Sequence, residues 1–299
     1  MTATDITTPI EAPAPAASAA GKRGITPMKT VQFVLLLIFG CVVLIPLYVV
    51  MVTSFKTGAD VSPSNAWDLP SVLSTDGWRS AMTRLAPALG RSLVLALTAA
   101  VLSSILGSLN GYVFAKWKFP GADVVFTAFL FGMFIPYQAV MIPLQKMLLD
   151  LQTHGFAWID GIPKLILVHT IYGIPICTLI FRNYYATAVP NEILEAARVD
   201  GAGMIRTYWS IVLPVSMPAF VVTLIWQFTS AWNDFLFALF LSSPRNGPVT
   251  YALQELAGGQ NPDYPSIMAG VLVASLPTLI VYIALGRYFI SGLMSGSVK

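Results

Sequence analysis

Six stretches of this chain run without a single charged residue, and charges bound each of them. They are Thr30–Phe55, Ser92–Ala115, Val124–Gln145, Leu165–Phe181, Thr207–Asn233 and Tyr264–Gly286. Each is close to the ~20 residues that a helix needs to cross ~30 Å of hydrocarbon. The apolar runs are continuous and do not alternate, which favours helices over a barrel of strands. The pattern predicts an all-α polytopic membrane protein with six transmembrane helices, occupying residues 28–299. Residues 1–27, rich in Ala, Pro and Thr, bury too little apolar surface to order themselves and are expected to form a disordered cytoplasmic tail. They do not read as a cleaved signal, because the following apolar run is too long and the Ala-rich stretch precedes it. The segment Lys56–Arg91, with Trp67 and Trp78, is long enough for a small folded cap or a partner-contacting loop.

Between the fourth and fifth runs the pattern turns polar, in Glu195–Pro214, EAARVDGAGMIRTYWSIVLP. Glu192–Val199 has helix-forming composition, and the small Ala196 and Ala197 would let a partner surface approach closely. Gly201 supplies the left-handed backbone position at which such a helix ends. A second short helix over Gly203–Ser210 leaves at an angle, and Pro214 is tolerated early in the next helix, where a first-turn N–H has no intrahelical partner to lose. The loop of about residues 190–212 is built to be gripped by another protein.

Composition agrees with the membrane reading: 56% of the 299 residues are hydrophobic, 10% are charged, and the mean hydropathy is +0.72. The net charge of +3 does not point to nucleic acid, because the basic residues flank apolar runs and form no continuous stripe. Lys22, Arg23 and Lys29 before the first run keep the N-terminus in the cytoplasm, and six crossings return the C-terminus there. Cys41 and Cys177 read as buried small hydrophobes, and neither His154 nor His169 has neighbours in sequence that would complete a metal site. Solvent contact or helix–helix hydrogen bonding is the expectation for the histidines. Gly107 and Gly111 form a small-xxx-small packing face.

The skeleton Glu195-Ala196-Ala197, Gly201, Ile211, Leu213, Pro214 resembles the EAA loop of membrane subunits of binding-protein-dependent ABC importers. Gly111–Gly121, Met133–Leu144, Phe181–Tyr185, Trp232–Phe237 and Gly292–Lys299 are similar to the carbohydrate-uptake branch, of maltose/glucose type. The resemblance covers roughly residue 30 to the end. It implies a type I ABC importer permease fold with cytoplasmic coupling helices, in a bacterial or archaeal inner membrane. It also implies a complex of a second permease subunit, two ATPase subunits and an external sugar-binding protein. Glu195, Ala196, Ala197, Arg198, Asp200 and Gly201 would carry ATPase coupling. The pattern G-x-x-x-x-G-K-[ST] does not occur, so ATP and Mg belong to the partner ATPase, with no cofactor, metal or catalytic residue expected on this chain.

Polar residues inside apolar runs are costly and suggest a substrate pathway. The candidates are Asn110, Gln138, Trp226, Gln227, Asn233 and Asp234, with Tyr137 and Trp232 beside them. Twenty residues beyond Pro214, ~30 Å along a straight helix, Asp234 is expected at the outer rim as an interfacial anchor, a binding-protein contact, a sugar contact or a subunit ion pair. A monosaccharide such as glucose or mannose is the expected substrate. The alternatives are an oligosaccharide or glycerol-phosphate compound and, in a different class, an ion-coupled secondary transporter, for which the runs offer few acids.

Overall fold

A computed structural model describes residues 27–117, 119–258 and 260–294. The expected tail and the last five residues lie outside these. The chain divides into two units, Met1–Leu47 and Tyr48–Lys299. Among the described residues all regular structure is helical.

Helix α1, Pro27–Thr53, begins in the first unit. There the consecutive Leu35, Leu36, Leu37, Ile38 and Phe39 are all exposed, so every face is apolar, as suits a segment solvated by lipid. Cys41 is exposed on the same all-apolar helix, against the expectation of burial. In the second unit the end of α1 leads into a folded cap. Lys56 Nζ is buried and donates to the Asn65 carbonyl at 2.6 Å. The Asn65 side chain in turn accepts from the Ser62 N–H at 2.8 Å. The Tyr48 hydroxyl donates to the Trp67 carbonyl at 2.9 Å, and the Phe55 and Trp78 rings meet at 5.5 Å.

Helix α2, Asp76–Lys116, is 41 residues long and starts well before the predicted Ser92. At ~1.5 Å per residue it extends about 60 Å, twice the hydrocarbon thickness. Almost half of the Lys56–Arg91 segment is therefore its first turns. Its inner face is a stripe of small residues, among them Ala96, Ala99, Ala100, Ser103, Ser104, Gly107 and Gly111. Along this stripe lies α5, Ile162–Ala188, in the most extensive helix pairing of the molecule. A Cβ on Gly107 would stand 2.4 Å from the Cβ of Cys177, and one on Gly111 2.6 Å from that of Phe181. Without side chains there, the two backbones reach a separation that Ala would prevent. The glycine pair thus serves packing within the chain, and Cys177 is buried as expected.

Two predicted spans are broken. The third divides into α3, Ala122–Phe131, a tight turn at Gly132–Phe134, and α4, Tyr137–Thr153, bent by 94°. Pro136 lies at the bend, where it cannot continue a helical hydrogen-bond ladder. The fifth divides at Ser216. Before it come α6, Asn191–Val199; α7, Met204–Thr207; a π turn, Tyr208–Val212; and α8, Leu213–Val215. After it comes α9, Met217–Asn233, at 78° to the preceding segment. Pro218, not Pro214, occupies the first turn of this helix. Short helices α10, Leu236–Leu241, and α11, Val249–Ala257, precede α12, Tyr264–Met294. Among the described residues four helices are long and apolar enough to cross a membrane, or up to six segments if each bent pair is one span.

Candidate coupling segment and membrane cleft

Helix α6 ends in a Schellman motif. The Ala202 N–H donates to the Ala197 carbonyl at 2.9 Å and the Gly201 N–H to the Arg198 carbonyl at 3.0 Å. Gly201 has φ +72°, the left-handed conformation that closes this motif and that a Cβ disfavours. Leu194 is buried in a cluster with Tyr112, Phe181, Tyr185, Tyr208 and Val212, and Ala197 is buried as well. Glu195, Ala196, Arg198, Asp200 and Gly201 are exposed, so of the paired alanines only Ala196 lies on the open face. The Arg198 guanidinium sits 5.4 Å from the Trp117 ring, and Lys116 Nζ donates to Asn191 Oδ1 at 3.1 Å, tying α6 to the end of α2.

Beside these polar groups the segment exposes apolar surface, with Val199 at 88% and Ile205 at 74%. A turn pinned from within and apolar without is a surface that a partner is expected to cover.

The π turn follows from Pro214, whose ring would clash with the carbonyl four residues back in a regular helix. Widening the turn lets the Leu213 N–H reach the Tyr208 carbonyl, five residues earlier. The bend at Ser216 is fastened by side chains: the Ser216 hydroxyl donates to the Leu213 carbonyl at 2.7 Å, and the Tyr184 hydroxyl to the Val215 carbonyl at 2.8 Å. Below it, Ser108 Oγ lies 2.6 Å from the Tyr185 hydroxyl and 2.8 Å from the Tyr208 hydroxyl, all three residues being buried. A serine hydroxyl has one proton and two lone pairs, so it accepts from at least one of the phenols. Three elements, α2, α5 and the π turn, meet at that atom.

A cleft of about 400 Å³ opens between α5, α9 and α10, lined by Met133, Tyr137, His169, Trp226, Gln227 and Asp234 among others. Tyr172, Ser230, Asn233 and Phe237 also face it. Four residues of the predicted pathway, Trp226, Gln227, Asn233 and Asp234, are thus brought together. Asn110 is placed elsewhere, in a smaller cavity beside Met204 and Tyr208, and Gln138 is exposed at the start of α4. Trp232 is buried, stacked on Phe228 at 5.6 Å, and donates its Nε1–H to the Ala274 carbonyl at 3.0 Å. It is a packing residue.

Asp234 is largely buried against a histidine. Its side chain is 13% exposed, and Oδ2 lies 3.6 Å from Nε2 of His169, whose side chain is 6% exposed. The chain turns at Ser216, so α9 runs 17 residues, or about 25 Å, before it ends at Asp234. The same carboxylate accepts from the Ala238 N–H at 3.3 Å, capping α10, and the Thr250 hydroxyl donates to the Asp234 carbonyl at 2.7 Å. Gln227 Nε2 donates to the His169 carbonyl at 2.8 Å, and its amide packs where a Cβ on Gly173 would be, 2.5 Å away. His169 was legible in sequence only as a polar residue within an apolar run. Its partner is too distant along the chain for spacing to reveal.

Residues 107–293 match the family described as binding-protein-dependent transport system inner membrane component. A probable ABC transporter permease of Pyrococcus horikoshii is 38% identical, over 93% of this chain and 99% of its own length. The xylose/arabinose import permease of Haloferax volcanii is 31% identical, over 89% and 92%. In the crystal structure of a bacterial ABC transporter involved in the import of the acidic polysaccharide alginate, one chain is similar with a TM-score of 0.73 at 21% identity, over 94% of this chain and all of that one. The fold is that of an ABC importer permease, and with its matching sequence the chain belongs to the family of inner membrane components of binding-protein-dependent transport systems.

Proposed function

We propose that this chain is the permease subunit of an ATP-driven sugar importer. It forms half of a translocation pathway with a second, non-identical permease subunit and takes the stroke of a cytoplasmic ATPase through α6 and α7. An extracytoplasmic binding protein delivers the sugar, and both termini lie in the cytoplasm with the α6–α7 segment. The observation that carries the coupling role is the Gly201-terminated segment, buried at Leu194 and Ala197 and open at Glu195, Val199 and Ile205. ATPase closure pushes on this segment and opens the cleft alternately to either side. No covalent chemistry occurs on the chain.

The Haloferax relative, named for two pentoses, supports a monosaccharide as cargo. The similarity to glucose- and mannose-type members in Trp232–Phe237 points the same way, and an oligosaccharide or glycerol-phosphate compound is the rival within this reading.

Co-purification tests the proposal. Expressed with its chromosomal neighbours, the wild-type chain is expected to bring down an ATPase whose hydrolysis a sugar-loaded binding protein stimulates. Glu195→Lys and Gly201→Asp are expected to cut the stimulated rate at least tenfold. An ATPase that never associates in any mild detergent would overturn it.

A further inference from the structure

We infer that His169 and Asp234 together form a hydroxyl-binding point that selects an uncharged sugar in the cleft; this rests on the importer reading above. The pair is set at a distance that neither partner can use directly. At 3.6 Å, Nε2 and Oδ2 are too far apart for a hydrogen bond, and among the described residues buried His169 Nε2 has no hydrogen-bond partner. An unpaired buried donor is costly, and the cost is removed if a third group sits beside both. With the imidazole proton on Nε2, that group accepts from the ring and donates to the carboxylate, which a hydroxyl does with one oxygen. Nε2 is closed to solvent in this structure, so a sugar hydroxyl entering from the cleft takes this position by parting the two side chains.

The setting fits a neutral polyol. The imidazole is fixed by the edge-to-face contact of its ring with Phe237 at 5.5 Å, and the backbone carbonyl of the same residue is held by Gln227. The carboxylate is fixed by its contact with the N–H of Ala238. Trp226, half exposed on the cleft wall, offers an apolar face for a pyranose or furanose ring, and Ser230 and Asn233 offer further hydroxyl partners. The volume of about 400 Å³ lies in the ordinary range for small-molecule sites. Neither Lys nor Arg is among the described lining residues, whereas recognition of a phosphate or uronate calls for such cations and would meet a carboxylate here. The alternatives that the sequence left open thus separate by charge: a glycerol phosphate or an acidic sugar is disfavoured, and a neutral sugar is accepted.

The test uses the complete complex in proteoliposomes, with its binding protein, and D-xylose, L-arabinose, D-glucose and maltose as probes. D-glucuronate and glucose 6-phosphate are the charged comparators. With the probe that wild type imports, His169→Gln, which keeps a donor, is expected to stay within about threefold of the wild-type uptake per ATP hydrolysed. His169→Phe, which keeps the ring packing but not the donor, is expected to fall about tenfold, the size of one hydrogen bond lost. Asp234→Asn, which keeps the cap on α10, is expected to fall similarly while ATPase association is unchanged. Equal uptake by the Gln and Phe variants would overturn the inference, as would import of either charged comparator at the rate of a neutral probe. If wild type assembles with an ATPase and imports only charged comparators, this inference fails while the importer reading stands. If wild type binds no ATPase, both fall.

Discussion

At the scale of single residues, Ser108 is the atom on which the coupling segment rests. Its hydroxyl is the shared partner of Tyr185 and Tyr208, so replacing it strands two buried phenols. Ser108→Ala is expected to destabilise the protein by about 1–3 kcal/mol, read as a lower unfolding midpoint in mild detergent. Tyr208→Phe, which leaves the Ser108–Tyr185 bond intact, is expected to cost less. An Ala variant as stable as wild type would mean that these hydroxyls find other partners. Residue-level reading of the sequence reached Gly201, because a left-handed helix terminus has a compositional signature. It did not reach Ser108, because a serine in an apolar run looks the same whether it closes a network or bonds its own helix. Asp234 was legible as a candidate, but its environment was not: burial and the neighbouring imidazole come from α5, which lies far away in sequence.

Among elements, the α2–α5 pair depends on absent side chains. Gly111→Ala would set a Cβ 2.6 Å from that of Phe181 and 2.8 Å from the Arg182 nitrogen, so two backbones must separate. The expected loss is about 1–3 kcal/mol, as for overpacked cores. Gly90, in the same helix, has open space around it, and Gly90→Ala is expected to stabilise by about 1 kcal/mol through helix propensity alone. Paired thermal melts check both signs. Charge-free runs located the long helices well, since burial in lipid demands continuous apolarity. They missed the bends at Pro136 and Ser216, because a break in direction leaves hydropathy unchanged. The start of α2 was missed for the opposite reason: Asp76–Arg91 carries charges yet continues the helix, supported by buried Ala81, Leu85 and Ala88.

For the whole molecule, the proposed topology of six crossings would return the chain to the side on which it began. Single cysteines placed at Thr2 and Lys299, in a chain lacking Cys41 and Cys177, are expected to react with a membrane-impermeant maleimide only after the inner face is exposed. A cysteine at Val199 is expected to follow them, and labelling of any one from outside would break the assignment. Fold class was legible because the bilayer admits few architectures. The cleft was not, since it is assembled from α5, α9 and α10 by their packing.

The corner at Ser216 has a mechanical consequence. Two stiff arms at 78°, fastened by the hydroxyls of Tyr184 and Ser216, form a crank. The arm from Met204 to Val215 starts just after the exposed turn at Gly201, and the other ends beside Asp234. Turning such a crank by ~10° would carry the far end of a ~25 Å arm through about 4 Å, enough to close or open a 3.6 Å gap between side chains. The linkage also runs backwards. Whatever fills the gap would resist the turning, so under the proposed function cargo would be weighed at one end by the same rigid piece that is pushed at the other.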